Sequence, residues 1–217
     1  VFLLAIVPQG SGAGYSMHLL RAESPGPSVG KLTPKLGTTA KMLYLIYIAL
    51  TVLCCLFLLL GGMPLFDSVC TAFGTAGTGG FGIRGDSLAG YSPYLQNVVT
   101  VFMALFGVNF SIYYLLLIRE FKVALLDEEL RLYAGLMLGS VALISWNILP
   151  LFGSLREAVH HAAFQVSSIM TTSGFSTVDF NIWPPFSKSI LLGLMFIGAS
   201  AGSTGGGIKV SRGLLLL

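Results

Sequence analysis

The sequence TAGTGGFGIRG, from Thr75 to Gly85, carries glycines at positions 80, 82 and 85, which is the spacing of a dinucleotide-binding fingerprint. That fingerprint also needs a strand before it, a helix that starts within it and an acidic residue about 20 residues later. The turn-rich segment DSLAGYSP follows Gly85 instead. The cluster therefore does not indicate a nucleotide site. Glycines of this kind can alternatively aim backbone carbonyls at a cation.

A second copy of the cluster lies 94 positions further along the chain. Residues 78–82 read TGGFG and residues 172–176 read TSGFS, so both are variants of Thr-x-Gly-Phe followed by a small residue. At the same offset the apolar run 42–60 falls on 136–154. A unit of helix, half-helix, glycine segment and helix is thus present twice. Repeats that cannot bury their inner faces alone assemble around an axis.

The composition predicts a membrane protein. Apolar residues make up 54% of the chain and charged residues only 10%, whereas a soluble domain has about 25% charged residues. The runs 42–60, 94–118 and 132–152 each approach or exceed the roughly 20 residues that a spanning helix needs. The three cysteines lie in or beside apolar segments without the spacing of metal ligands, so we expect no cofactor.

Three further segments are apolar but cannot cross the membrane as single straight helices. Residues 65–76 and 155–171 are too short and end in Gly, Thr and Ser, which predicts re-entrant half-helices. The helix that begins near Ser189 meets GASAGSTGGG at 198–207 and is therefore predicted to break at mid-depth. We call residues 198–207 the gate loop.

The positive charges orient this layout, because cytoplasmic loops are enriched in Lys and Arg. The cytoplasmic side then holds nine of the twelve basic residues: Arg21, Lys31, Lys35, Lys41, Arg119, Lys122, Arg131, Lys209 and Arg212. Both glycine clusters open to the outside, while the linkers 17–41 and 119–131 lie inside. The formal charge of +3 follows from this asymmetry and does not indicate a nucleic-acid partner.

Non-helical backbone at membrane depth is tolerated where it lines a watery cavity or is buried in protein. Glycine adopts positive φ without a Cβ clash, so successive carbonyls can turn toward one axis and replace the hydration shell of K⁺. The predicted ligands are the backbone carbonyls of Thr78, Gly79, Gly80, Phe81, Thr172, Ser173, Gly174 and Phe175. We call residues 78–82 filter 1 and residues 172–176 filter 2, and we expect the phenylalanine rings to pack behind them.

These clusters, with HLLRAESPGPSVGKLTPK at 18–35 and AGSTGGGIKVSR at 201–212, resemble the TrkH-type potassium uptake subunits of the Trk/Ktr/HKT superfamily. The resemblance implies an all-α polytopic membrane protein with repeats around a pseudo-fourfold pore, of which this chain is a fragment covering the second repeat and most of the third. Its predicted parts are the end of a preceding repeat (1–16), a cytoplasmic linker (17–41), a pore repeat (42–118), a second linker (119–131) and a second pore repeat (132–217). Each repeat holds a helix, a half-helix, a filter and a second helix, at 94–118 in the first and, broken, at 189–217 in the second.

The resemblance also implies a function and partners. The expected activity is K⁺ transport through a channel-like pore, by a multi-pass protein of a bacterial inner (plasma) membrane. The expected partners are K⁺, membrane lipid, a second copy of the chain and a cytosolic nucleotide-binding subunit of the TrkA type. The gate loop is expected to hinder ion passage until it moves, through Gly198, Ser200, Gly202, Ser203, Thr204, Gly205, Gly206, Gly207 and Lys209.

Two alternatives compete with this interpretation. Gly198-x-Ser200-x-Gly202 has the spacing of a hydrolase nucleophile elbow, which would make the protein a membrane-embedded hydrolase. That motif needs a strand-turn-helix setting and a later histidine, but all three histidines precede Ser200, so an enzyme is not expected. The other alternative is a scaffold subunit that does not conduct.

Several charged residues remain with two interpretations. Asp86 and Asp179 follow the filters on the outer side, where carboxylates would raise the local cation concentration or would simply be solvated. Lys209 and Arg212 either pair with the gate or a partner, or anchor the chain at the cytoplasmic face. The segment 119–131 is predicted to be a solvated turn or a contact for a regulatory subunit.

Overall fold

The computed structural model describes residues 36–214, with side chains from residue 41 to residue 213. The predicted repeat end at 1–16 and most of the linker 17–41 lie outside these residues. Within the described part the chain is all-α, and its one sheet-like contact is a parallel bridge between Ile197 and Ile208.

The first repeat consists of α1 (Leu36–Leu60), α2 (Leu65–Ala76), α3 (Pro93–Phe106) and α4 (Phe110–Leu117). Helix α1 carries no charge after Lys41, and it ends before Gly62, which adopts φ +81°. Helix α3 begins at a favourable signal, because Ser92 accepts a hydrogen bond from the Leu95 N–H and Pro93 occupies the first helical position.

The second repeat follows the short helix α5 (Phe121–Leu125). It consists of α6 (Glu128–Phe152), α7 (Leu155–Met170), a 3₁₀ turn (Phe180–Ile182), α8 (Pro185–Phe196) and α9 (Val210–Leu214). Asp127 caps α6 by accepting from the Leu130 N–H at 2.8 Å. Gly153 ends α6 with φ +67°, and Ser154 then caps α7, so the chain reverses within two residues.

Two of the described helices are long and apolar enough to cross a membrane, at Lys41–Leu60 within α1 and at Glu128–Phe152. Helices α3 and α4 make a third span if they are counted together. The outward faces of α1 and α6 carry large exposed apolar side chains, among them Leu60 and Trp146. These faces suit contact with lipid or with other transmembrane segments.

The prediction of one continuous helix over residues 94–118 is wrong. The chain breaks between α3 and α4, and the two helices are bent by 90°. Gly107 is buried at the break, where a Cβ would collide with the Tyr133 hydroxyl and lie 2.8 Å from Cγ2 of Thr171. Asn109 then starts α4 by accepting from the Ser111 N–H at 2.9 Å. Close packing of the second repeat against a glycine, followed by a new cap, replaces the continuous helix.

The two repeats share buried contacts. The core of the first repeat is built mainly from α1, α2 and α3, but it also contains Phe164 of α7 and Phe175 of filter 2. The core of the second repeat lies between α6, α7 and α8. Because α7 contributes to both cores, the half-helices and filters of the two repeats are held side by side.

Candidate functional site

The two filters have the same unusual backbone. Thr78 and Thr172 adopt φ +51° and +58°, and Gly80 and Gly174 adopt φ +63° and +86°. The residue between each pair does not have positive φ. Positive φ is uncommon outside glycine, so two threonines strained at equivalent positions indicate one geometry imposed twice.

The amide N–H groups of both filters point back into the preceding half-helix. Gly79 donates to the Gly74 carbonyl at 2.8 Å, and Ser173 donates to the Ser168 carbonyl at 2.9 Å. The N–H groups of the next residues share these acceptors at 3.5 and 3.4 Å. Within the described residues, no hydrogen bond occupies the carbonyls of Thr78, Gly79, Gly80, Thr172, Ser173 and Gly174. The donors are used by the half-helices and the acceptors are left for another ligand.

Filters 1 and 2 touch each other. A Cβ at Gly80 would collide with the Ser173 carbonyl oxygen and lie 2.8 Å from its carbon. The loop after filter 1 also holds the end of filter 2, because the Leu88 N–H donates to the Ser176 carbonyl at 3.1 Å. In return the Ser176 N–H donates to Oγ of Ser87 at 3.2 Å.

The two phenylalanine rings differ in burial. Phe175 is 1% exposed and packs against Gly74, where a Cβ would lie 3.1 Å from the ring. Its carbonyl accepts the Ser168 hydroxyl at 2.6 Å. The ring of Phe81 is 84% exposed, in contrast to the packing expected behind filter 1. Phe175 rests on the half-helix α2 of the first repeat, and no equivalent half-helix covers Phe81 among the described residues.

The gate loop contacts the first residue of each filter. The Thr78 hydroxyl donates to the Thr204 carbonyl at 3.3 Å. The Gly206 N–H donates to Oγ1 of Thr172 at 2.7 Å. The loop therefore lies beside both filters at the end where each leaves its half-helix.

The same loop satisfies the helix break of the first repeat. The Thr204 N–H and hydroxyl both donate to the Phe106 carbonyl, at 3.3 and 3.2 Å. The Ser200 N–H donates to the Gly107 carbonyl at 3.0 Å, and the Phe110 N–H donates to the Gly202 carbonyl at 3.1 Å. Backbone groups that the bend releases from α3 and α4 are thus paired with the loop rather than left unsatisfied.

Glycine is required where the two ends of the gate loop cross. A Cβ at Gly198 would collide with the Gly206 carbonyl, and Gly207 adopts φ +75°. The Gly198 N–H donates to the Ile208 carbonyl at 2.8 Å, which closes the loop. Lys209 donates from Nζ to the Gly205 carbonyl, so its ammonium lies against the loop.

Among the described residues, no histidine or carboxylate forms a hydrogen bond with the Ser200 hydroxyl. This hydroxyl is fully buried without a hydrogen-bond partner in that part of the chain. His160 contacts Asn97 and Gln96 at 2.8 and 2.7 Å, and His161 contacts Thr177 at 3.1 Å. Within residues 36–214, no group of three or more His, Cys, Asp or Glu could hold a metal ion.

Asp86 and Asp179, which follow the filters in the sequence, line one cavity. Its volume is about 310 Å³, and Ser176 and Thr177 also border it. The two carboxylates place negative charge beside the end of filter 2, which favours a cation there over an anion.

Glu129 forms two hydrogen bonds that the sequence analysis did not predict. It lies in the segment predicted to be a solvated turn, but its Oε1 accepts the Ala201 N–H at 2.6 Å and the Ser211 N–H at 3.2 Å. The Ala201 partner is 72 residues away in the sequence, so no local pattern could have identified it.

Comparison with known proteins finds one family over almost the whole chain. The sequence profile of TrkH, described as a cation transport protein, matches residues 11–216. The chain is similar to the Trk system potassium uptake protein TrkH of Salmonella typhimurium strain LT2, with 42% identity over 225 residues. It is 40% identical to the protein of the same name from Escherichia coli strain K12. Each match covers 100% of this chain and 45% of the relative, so the chain spans less than half of their length.

A solved structure has the same fold. The crystal structure of the potassium transporter TrkH from Vibrio parahaemolyticus superposes with a TM-score of 0.81 at 33% sequence identity. The match covers 93% of this chain and 43% of that one.

Proposed function

The chain belongs to the TrkH family of cation transport proteins, and from that premise we propose that it forms part of a channel-like K⁺ pore in a bacterial inner membrane. Filters 1 and 2 supply two of the walls of the pore, and backbone carbonyls bind the ion. K⁺ is the transported ligand, and no cofactor takes part. The ion moves down its electrochemical gradient when the gate loop is displaced.

The observation that carries the proposal is the matched backbone of the two filters. The first and third residues of each filter have positive φ, so the two filters follow one backbone pattern. The N–H groups are held by the half-helices, so the carbonyls are the groups that remain for a cation. Helices α2 and α7 also end at the filters, and the partial negative charge of a helix C-terminus favours a cation there.

The position of the gate loop supports its proposed role. Its residues bond to Thr78 and Thr172 at the inner ends of both filters. A loop at that place obstructs an ion that has passed the filters. Its bonds to Phe106 and Gly107 tie it to a bend in the first repeat, so movement of that bend would move the loop.

The assembly is part of the proposal. We place the protein as a homodimer in the lipid bilayer with a cytosolic nucleotide-binding subunit of the TrkA type, on the strength of the family resemblance. The exposed Arg119 and Lys122, between the repeats, offer charge on the face predicted to be cytoplasmic.

The filter assignment is tested by K⁺ uptake of the full-length protein in a strain that lacks its own K⁺ transport. Gly80→Asp and Gly174→Asp should each abolish K⁺-selective uptake, because both side chains would strain a backbone with positive φ and add a fixed charge. Gly85→Asp is the matched control, since Gly85 has open space and no positive φ. Normal uptake by both filter variants would refute the assignment.

The gate assignment is tested by K⁺ flux in reconstituted vesicles. Deletion of residues 203–206 should raise flux, because it removes the obstruction and leaves the filter carbonyls in place. Ser200→Ala should leave flux near the wild-type value, whereas loss of a hydrolytic activity in that variant would favour the hydrolase alternative. Unchanged flux in a folded deletion variant would exclude the gate, and a wild-type protein that carries no K⁺ would favour the scaffold alternative.

A further inference from the structure

One carboxylate joins the gate loop to the helix that follows it. Oε1 of Glu129 accepts from Ala201 near the start of the loop and from Ser211 in α9. Glu129 itself lies in the first turn of α6, which Asp127 caps. The loop is therefore fastened to a membrane-spanning helix through a single side chain.

Both hydrogen bonds to Glu129 are charge-assisted. Hydrogen bonds from backbone N–H groups to a carboxylate are shorter and roughly twice as strong as neutral ones. The Ala201 bond at 2.6 Å is short, and Ala201 and Ser211 are both buried. Removing the carboxylate leaves two buried N–H groups without a partner, which disfavours the conformation that buries them.

Lys209 adds a further contact in the same region. It lies between the two bonded residues in the sequence, and its Nζ donates to the Gly205 carbonyl within the loop.

We propose that Glu129 is the latch of the gate: its carboxylate stabilises the closed loop by holding Ala201 and Ser211, and the loop opens when these bonds break. The inference rests on the proposed function, because a latch has a meaning only if the loop obstructs an ion path. Glu129 is a positioning residue in this proposal and does not touch the ion.

The test compares Glu129→Gln with Glu128→Gln in the full-length protein. Glu128 is the preceding residue in the same helical turn, is exposed and forms no hydrogen bond with the described residues of the loop, so it controls for charge and for helix capping. We expect basal K⁺ flux in vesicles to rise about tenfold for Glu129→Gln, since weakening two charge-assisted bonds shifts the closed–open equilibrium by that order. The K⁺/Na⁺ selectivity should not change, because the filters are untouched.

A double-mutant cycle separates a latch from a residue needed only for folding. In the deletion of residues 203–206, Glu129→Gln should add nothing further, because the obstruction that the latch holds is already gone. Amide hydrogen exchange of the segment 198–211 should be faster in Glu129→Gln than in wild type and unchanged in Glu128→Gln. If Glu129→Gln folds poorly, Glu129→Asp keeps the charge but shortens the reach and should show the same faster exchange.

The outcomes distinguish the latch from the pore. If the wild-type protein carries K⁺ and the Glu129 and Glu128 variants have the same flux and the same amide exchange, the latch is overturned and the pore proposal remains. A full-length wild-type protein that carries no K⁺ overturns the proposed function and the latch together. An equal rise in flux with and without the loop deletion also overturns the latch, because Glu129 would then act elsewhere.

Discussion

The two repeats agree at their filters and differ in the helix that follows. Filter 1 and filter 2 share strained φ values and the same hydrogen bonds to their half-helices, although only three of five residue types match. After the filters, both second helices break in the same region. Helix α3 ends at Phe106, which corresponds to Ser200 at the offset of 94, and α8 ends four residues earlier, at Phe196; Gly107 corresponds to Ala201 in the gate loop. The first break is a tight bend, whereas the second is the long gate loop.

This difference indicates that the filters and the second helices meet different requirements. A cation site needs the same ligand geometry from each wall, so the filter backbone is kept even where Gly79 is exchanged for Ser173. A gate needs only one movable obstruction, so the second helix can specialise in one repeat. The tight bend of the first repeat then serves as the support on which the gate loop of the second repeat rests.

The sharpest test of the filter equivalence is a single methyl group. Gly80→Ala should abolish K⁺ uptake, because its Cβ would collide with the Ser173 carbonyl, one of the proposed ligands. Gly174→Ala should retain part of the uptake, because the space around Gly174 is open among the described residues and the cost is the φ of +86°. That strain is roughly 1–2 kcal/mol. Uptake in a K⁺-transport-deficient strain, normalised to protein in the membrane, measures both.

Gly62→Ala is the control for strain alone. Gly62 has φ +81° and open surroundings outside the filters, so uptake should stay near wild type despite a similar cost in stability. Equal losses for Gly80→Ala and Gly62→Ala would mean that the contact between the filters contributes nothing to transport.

The two short helices α2 and α7 and the backbone pattern that follows them could be predicted because their signals are local. Residues 65–76 are apolar, too short to cross and followed by glycines, and α2 occupies Leu65–Ala76. The offset of 94 residues between the Thr-x-Gly-Phe copies then located the equivalent segment, where α7 lies. The matched glycines also implied positive φ, which Gly80 and Gly174 have.

The break between α3 and α4 and the contacts of Glu129 could not be predicted because they depend on residues distant in the sequence. Gly107 and Asn109 in an apolar run resemble ordinary residues of a membrane helix, and it is the packing of Tyr133 and Thr171 that gives the glycine its role. Glu129 sits in a charged run typical of a solvated turn, but its partners come from the far end of the chain. Local patterns find elements, whereas the contacts between repeats follow from the assembled fold.

A second test adds a Cβ at the break between α3 and α4, so that this position carries the same residue type as its equivalent in the second repeat. Gly107→Ala introduces the residue found at the equivalent Ala201, and we expect it to destabilise the protein by about 1–3 kcal/mol through overpacking. The new Cβ would displace the Tyr133 hydroxyl from the Ala104 carbonyl, which it contacts at 3.0 Å. Thermal unfolding of the purified protein in detergent measures the loss.

Tyr133→Phe supplies the matching half of the experiment. Alone it should cost about 1 kcal/mol for one hydrogen bond, and combined with Gly107→Ala it should give less than the sum of the two losses. Strict additivity would show that the Tyr133 hydroxyl does not enforce glycine at the break.

The smallest effect should come from the second residue of the filters, which is Gly79 in filter 1 and Ser173 in filter 2. Ser173→Gly makes filter 2 match filter 1 at this one position and removes a buried hydrogen bond between the hydroxyls of Ser173 and Thr171, which lie 2.9 Å apart. A net loss of about 1 kcal/mol should loosen filter 2 and lower K⁺/Na⁺ selectivity by up to about fivefold, with K⁺ uptake largely kept. The reverse change, Gly79→Ser, should be close to neutral, because Gly77 stands where the second repeat has Thr171, and the nearest ring, Phe81, is exposed and free to shift. Competition between Na⁺ and K⁺ in the uptake assay compares the two variants. A larger change for Gly79→Ser than for Ser173→Gly would show that filter 1, and not the hydrogen-bonded filter 2, sets the selectivity.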